Sequence, residues 1–113
     1  MIENRREIRE CEQQLIIFLL ENLGLNPKNY PLPNTVEEYE GGIMGSIGLG
    51  NPEISPYKKD LVQVKYVDSD EIEVIITLTQ DTNNQLLDLD FWKVDFSKLL
   101  TYPLPKGLIF IET

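Results

Sequence analysis

Between Asp60 and Leu99 the chain runs through three stretches in which apolar residues recur at every second position, separated by Asp68-Ser69-Asp70 and by Asp81-Thr82-Asn83-Asn84. A period of two belongs to extended backbone, and short clusters of Asp, Ser, Thr and Asn belong to tight turns. The pattern predicts a three-stranded antiparallel meander. A three-residue first turn sets Val67 opposite Glu71 and Lys65 opposite Glu73. A four-residue second turn sets Gln80 opposite Gln85, Ile75 opposite Asp90 and Glu73 opposite Trp92.

Both registers sort the side chains onto the same two faces, and a slip of a single residue would have exchanged them. One face holds Val62, Val64 and Tyr66 beside Ile72, Val74, Ile76 and Leu78, then Leu87, Leu89 and Phe91. This is the candidate core. The other holds Gln63, Lys65, Glu73, Ile75, Thr77, Asp88, Asp90 and Trp92, the mixed surface of an antiparallel sheet with one side in water. Two readings of Trp92 stand open: a ring covered by another segment of the chain, or the aromatic anchor of an interface.

Ahead of the meander, Asn4-Arg5-Arg6-Glu7 has the spacing of a capping box. Ile8, Cys11, Leu15, Phe18 and Leu19 then fall on one helical stripe, widened by Ile16, Leu20 and Leu23, and Gly24 with Asn26-Pro27 ends it. A helix over about 4–23 is expected, with Cys11 in the core rather than acting as a nucleophile. Pro27, Pro31 and Pro33 predict an extended crossing. Val36 to Tyr39, a turn at Gly41-Gly42 and Ile43 to Leu49 predict a hairpin. The glycines at 41, 42, 45, 48 and 50 lack the Lys-Ser or Lys-Thr of a phosphate loop. Asn51 to Lys59 reads as an exposed excursion, 95–100 as a short helical turn and Leu108 to Ile111 as an edge strand.

Together these elements predict one α+β domain over 1–113. An N-terminal amphipathic helix packs on one face of an antiparallel β-meander sheet of about four to six strands, drawn from about 36–49, 61–94 and 108–111.

The 113 residues include no histidine and one cysteine. That removes Ser-His-Asp and Cys-His chemistry, most zinc sites and any internal disulfide. No signal peptide pattern opens the sequence, and its longest apolar run is six residues, so a cytoplasmic protein that does not enter membranes is expected. Net charge is −9, and Asp68, Asp70, Glu71, Glu73, Asp81, Asp88, Asp90 and Asp95 crowd one region against Lys93 alone. Such a surface repels nucleic acid and attracts basic partners, although solubility also accounts for acidity. Asp88 and Asp90 share a face and suggest a magnesium-assisted hydrolase, but they alternate with large apolar residues and have few cations to hold a phosphate.

Gly41-Gly42 with Met44-Gly45-Ser46-Ile47, followed by Leu89-Asp90-Phe91-Trp92-Lys93-Val94-Asp95-Phe96-Ser97, resembles a small uncharacterised bacterial domain family. In it a helix precedes a sheet and a Leu-Asp-x-Trp-Lys-Val-Asp-Phe-Ser motif closes the meander. The resemblance implies no enzymatic activity and no cofactor. By analogy, small acidic domains of this kind are similar to the immunity proteins of contact-dependent inhibition and related toxin systems. The functional expectation is a non-enzymatic binder of a basic toxin domain, monomeric or weakly homodimeric. Asp68, Asp70, Glu71, Glu73, Asp88, Asp90, Trp92 and Asp95 are its candidate partner-binding residues. A carboxylate-dependent hydrolase and a homodimerising module are the alternatives.

Overall fold

A computed structural model describes residues 4–111. Among them, seven strands form one antiparallel sheet: β1 (Arg5–Glu7), β2 (Thr35–Glu38), β3 (Ile47–Gly48), β4 (Tyr57–Val67), β5 (Glu73–Asp81), β6 (Leu86–Lys93) and β7 (Ile109–Phe110). Their order across the sheet is β1-β2-β3-β6-β5-β4-β7. A single α-helix, α1 (Glu10–Asn22), joins β1 to the rest. The molecule is therefore mostly β, and this corrects the expected α+β arrangement of a helix on four to six strands. The meander is extended on both sides by short strands: β2, β3 and β7 fall on the stretches expected to be extended, whereas β1 lies where the helix was expected to begin. They exist because β6 and β4 offer unpaired backbone groups that must find partners.

The start of the helix is the second correction. Arg5–Glu7 pairs with β2 as strand, Arg6 opposite Val36. The capping carboxylate is Glu12 rather than Glu7: its Oε1 accepts the backbone N–H of Arg9 at 2.8 Å. Glu12 is buried, and the Arg6 guanidinium donates to both its oxygens, at 3.0 and 2.7 Å, and to Glu38 as well. This network ties β1, α1 and β2 together and holds the Arg6 guanidinium firmly charged. With Glu12 turned inward, Cys11 is exposed, against the expectation that it lay in the core. The helix ends at Asn22, capped by Leu23, and Gly24 follows at φ +77°, with Leu25 N–H donating to Leu20 O at 3.0 Å. That closing bond needs the left-handed residue that glycine supplies.

Each meander turn differs in detail from its expected register. Ser69-Asp70-Glu71 forms the first connection, with Asp68 N–H bonded to Ile72 O and Glu71 at φ +68°. Val67 consequently faces Glu73, and Lys65 faces Ile75. Thr82-Asn83-Asn84 forms the second, and a bulge between the Leu78 and Gln80 pairs sets Ile75 opposite Trp92. The row expected to run Lys65, Glu73, Trp92 is Lys65, Ile75, Trp92, with Lys65 Nζ reaching Glu73 diagonally at 3.3 Å. Away from the bulge both offsets are two residues and the inner face is unchanged, but beside the second turn the offset is one, and Leu86 rather than the expected Leu87 joins the core cluster. Val62, Val64, Tyr66, Val74, Ile76, Leu78, Leu89 and Phe91 are buried in one cluster with Leu15, Ile16, Leu19 and Leu20 of α1. Burying that many aliphatic side chains, at about 1.5–3 kcal/mol each, is the main stabilising contribution.

Residues 95–100, expected to be helical, instead form a turn and an extended strap. Phe96 N–H donates to Lys93 O at 2.8 Å, and Asp95 Oδ1 accepts both the N–H and the hydroxyl of Ser97. The Asp95 side chain competes for the local N–H groups, which bends the chain and stops a helix from starting. These bonds from Ser97 also hold the Asp95 carboxyl below its ordinary range. The hairpin expected over 36–49 is present only as β2 against the two residues of β3, with a 3-10 turn at Tyr39–Gly42 between them. Among the described residues, no helix is long and apolar enough to cross a membrane.

Candidate functional site

The eight acidic and aromatic positions expected to meet a partner fall into two environments. Asp68 and Asp70 sit at the β4–β5 turn and are engaged from within. Lys93 continues the inward row of Leu89 and Phe91, and its ammonium lies 2.9 Å from Asp68 Oδ2, 2.8 Å from Asp70 Oδ2 and 2.9 Å from Lys98 O. Asp68 also accepts the backbone N–H groups of Ser69, Leu100 and Thr101. Burial alone would raise the Asp68 carboxyl, but the Leu100 N–H, Lys93 and the other donors outweigh it and hold it at about 2. Burial would lower Lys93, and the two aspartates reverse that, so the ammonium stays charged. This cluster ties the 95–101 strap to the β4–β5 turn. Glu71, Glu73 and Asp95 are exposed around it.

Asp88, Asp90 and Trp92 lie in the second environment, alternate residues of β6 on the sheet's outer face. They edge an open groove of about 600 Å³. Thr77 and Thr79 of β5 lie along it, and Asp60 of β4 contributes a further carboxylate. Tyr39, Glu40, Met44 and Ser46, from the β2–β3 connection, form the other wall, and Phe96 comes from the turn after β6. Among the described residues, four carboxylates line the groove and no lysine or arginine does.

Two of those carboxylates have a hydroxyl beside them, the second of which also faces Phe91 O at 3.2 Å. The Tyr39 hydroxyl donates to Asp88 Oδ1 at 2.7 Å, and the Ser46 hydroxyl, 3.2 Å from Asp90 Oδ1, accepts the Phe91 N–H at 2.8 Å. Gly48 makes the first contact possible, because a Cβ there would stand 2.5 Å from the Tyr39 oxygen. Burial, and then the hydrogen bond to Asp88, raise the Tyr39 phenol well above its ordinary range. Burial also raises Asp88, with Asp90 and Glu37 adding to the shift and the Tyr39 bond opposing it. Among the described residues the second oxygen of Asp88 and of Asp90 accepts no hydrogen bond.

The aromatic side of the groove is exposed. Trp92 retains 46% of its accessible surface and Phe96 72%, their ring centroids 6.4 Å apart and inclined at 50°. The Trp92 ring is thus half covered by its own chain, with Phe96 against it, and half open to solvent. Phe96 has φ +62°, a region that a bulky side chain rarely adopts. Sequence reasoning missed Tyr39, Ser46, Asp60 and Phe96. Their positions depend on strand neighbours far away in the chain, and only Phe96, beside Trp92 in one motif, carried a local signal. Among the described residues no three His, Cys, Asp or Glu side chains group as metal ligands.

Fold and groove together define a small, mostly β protein built on one antiparallel sheet with an acidic, aromatic outer face. The chain belongs to the family described as Domain of unknown function (DUF6984), whose profile matches residues 5–103, from β1 through the strap. No curated protein and no solved structure matches it.

Proposed function

We propose that the protein is a non-enzymatic binding protein that holds a basic protein partner at the outer-face groove. In its specific form it is an immunity protein that neutralises a cognate bacterial toxin by covering a basic active-site cleft. The observation that carries this reading is Phe96. It takes up a left-handed conformation that costs about 1–2 kcal/mol, yet leaves its ring in solvent beside Trp92, so the fold itself gains little from it. Exposed aromatic rings rimmed by charge are typical of binding surfaces. The four groove carboxylates and the overall charge of −9 select a cationic partner and accelerate its approach. The analogy between small acidic domains of this kind and immunity proteins agrees with this direction.

Protection tests it. Cells expressing the protein are challenged with a panel of basic bacterial toxin domains, and each toxin's activity is assayed with purified protein at low and physiological salt. One toxin should be neutralised, with slower association as salt rises, and Asp90→Lys should abolish the effect. If no basic domain is bound or neutralised at either salt, the reading fails.

A further inference from the structure

Resting on that reading, we propose that the partner's anchor in the groove is an arginine side chain. Its guanidinium would meet the carboxylates of Asp88 and Asp90, and its plane would lie against Trp92 and Phe96. Asp88 and Asp90 are two residues apart on one strand face, about 7 Å along it. Tyr39 fixes one oxygen of Asp88 at 2.7 Å, while the Ser46 hydroxyl stands 3.2 Å both from one oxygen of Asp90 and from Phe91 O. The acceptor left over on Asp88 is thus pre-oriented, and the exposed Asp90 carboxylate beside it can turn to meet the second edge of a planar cation. A guanidinium is a rigid plane with five N–H donors and can satisfy two carboxylates at once, whereas an ammonium is a compact point charge.

The aromatic pair discriminates in the same direction. Trp92 is next in the same outward row, and Phe96 meets it at 6.4 Å. Arginine is weakly hydrated and stacks on aromatic faces, while lysine gives up more hydration to do so. A groove of about 600 Å³, open to solvent, accommodates one long side chain with its flanking backbone rather than a folded element. With no lysine or arginine among the described lining residues, an entering cation displaces no ion pair among them.

Trp92 is the only tryptophan, so its fluorescence reports on this groove alone. The whole protein is titrated with two capped peptides of equal length and charge, one carrying arginines and the other lysines at the same positions. A saturable change in Trp92 emission is expected with the arginine peptide, about five-fold tighter or more than with the lysine peptide. Asp90→Asn and Phe96→Gly, both at exposed positions, should each weaken the arginine peptide by about as much. Equal affinity for the two peptides overturns the arginine assignment and leaves the basic-partner reading standing. So does silence with both peptides when a basic protein domain still perturbs Trp92. Silence with peptides and basic domains alike overturns both.

Discussion

Lys93 Nζ lies 2.9 Å from Asp68 Oδ2, and neither side chain is exposed to solvent. A pair placed so deeply contributes less through its own attraction than through the penalty for breaking it, since the survivor keeps its charge without a partner. Asp68→Ala removes the buried one of the ammonium's two carboxylates, leaving Asp70 and Lys98 O, and deprives the N–H groups of Ser69, Leu100 and Thr101 of their acceptor. A loss of about 3 kcal/mol is expected, seen as a melting temperature lower by roughly 10–15 °C. Asp70 is one-third exposed, and Asp70→Asn should remove no more than about 1 kcal/mol. Urea unfolding of the two variants checks the ranking. Equal losses would show that the buried partner has no special role.

Acid should unfold the protein partly through the same carboxylate. Asp68 is held at about 2, below its unfolded value. Its stabilising effect is complete above the unfolded value of about 3.9 and disappears as pH falls through about 2. Asp95, also lowered, acts in the same sense. Thermal melts from neutral pH down to this range should show a steep acid limb, flatter in Asp68→Asn. Unchanged steepness would assign the limb to other groups.

Asp88 behaves oppositely. Burial and the neighbouring charges of Asp90 and Glu37 raise its carboxyl, so its ionised form is disfavoured in the fold. Its contribution to stability is present below the unfolded value and lost as pH rises through the folded one. Asp88→Asn should therefore leave the protein equally or more stable at neutral pH. Differential scanning calorimetry of that variant at neutral pH would expose a loss if the charged form were instead required.

Gly48→Ala should release Tyr39 from Asp88, because the added methyl would sit 2.5 Å from the phenol oxygen and the ring must move. Overpacking of this kind costs about 1–3 kcal/mol, whereas Tyr39→Phe, which deletes only the hydroxyl, should cost about 1 kcal/mol. Chemical denaturation gives both values. Ultraviolet titration adds a local check, since the raised Tyr39 phenol should return toward its ordinary range in Gly48→Ala.

Phe96→Gly separates stability from binding. Glycine relieves the left-handed backbone, so the free protein should be unchanged or more stable by up to about 1 kcal/mol. Partner affinity should drop in the same variant, because the ring beside Trp92 is gone. Loss of both together would make Phe96 part of the scaffold.

By itself the sequence determined which side chains face inward along the meander, and where the helix stops. Those features are local: alternation with a period of two survived wherever the register offset was two residues and gave way at the bulge, where Leu86 replaces Leu87 in the core, and Gly24 closes the helix with its own neighbours. The tertiary structure alone decided where the short strands join the meander, and with that the groove, because β3 docks on β6 and brings Ser46 and Gly48 to Asp90 and Asp88 from forty or more residues away. It also decided the state of the acidic stretch. The alternation that buries Leu89 and Phe91 places Lys93 in the same inward row, yet a lysine is expected in water until a partner for its charge is known. Asp68, twenty-five residues earlier, is that partner, and no local pattern of charge announces it. Hydrophobic period is written into neighbouring residues, whereas charge pairing and strand order are settled by contacts that exist only once the sheet has closed.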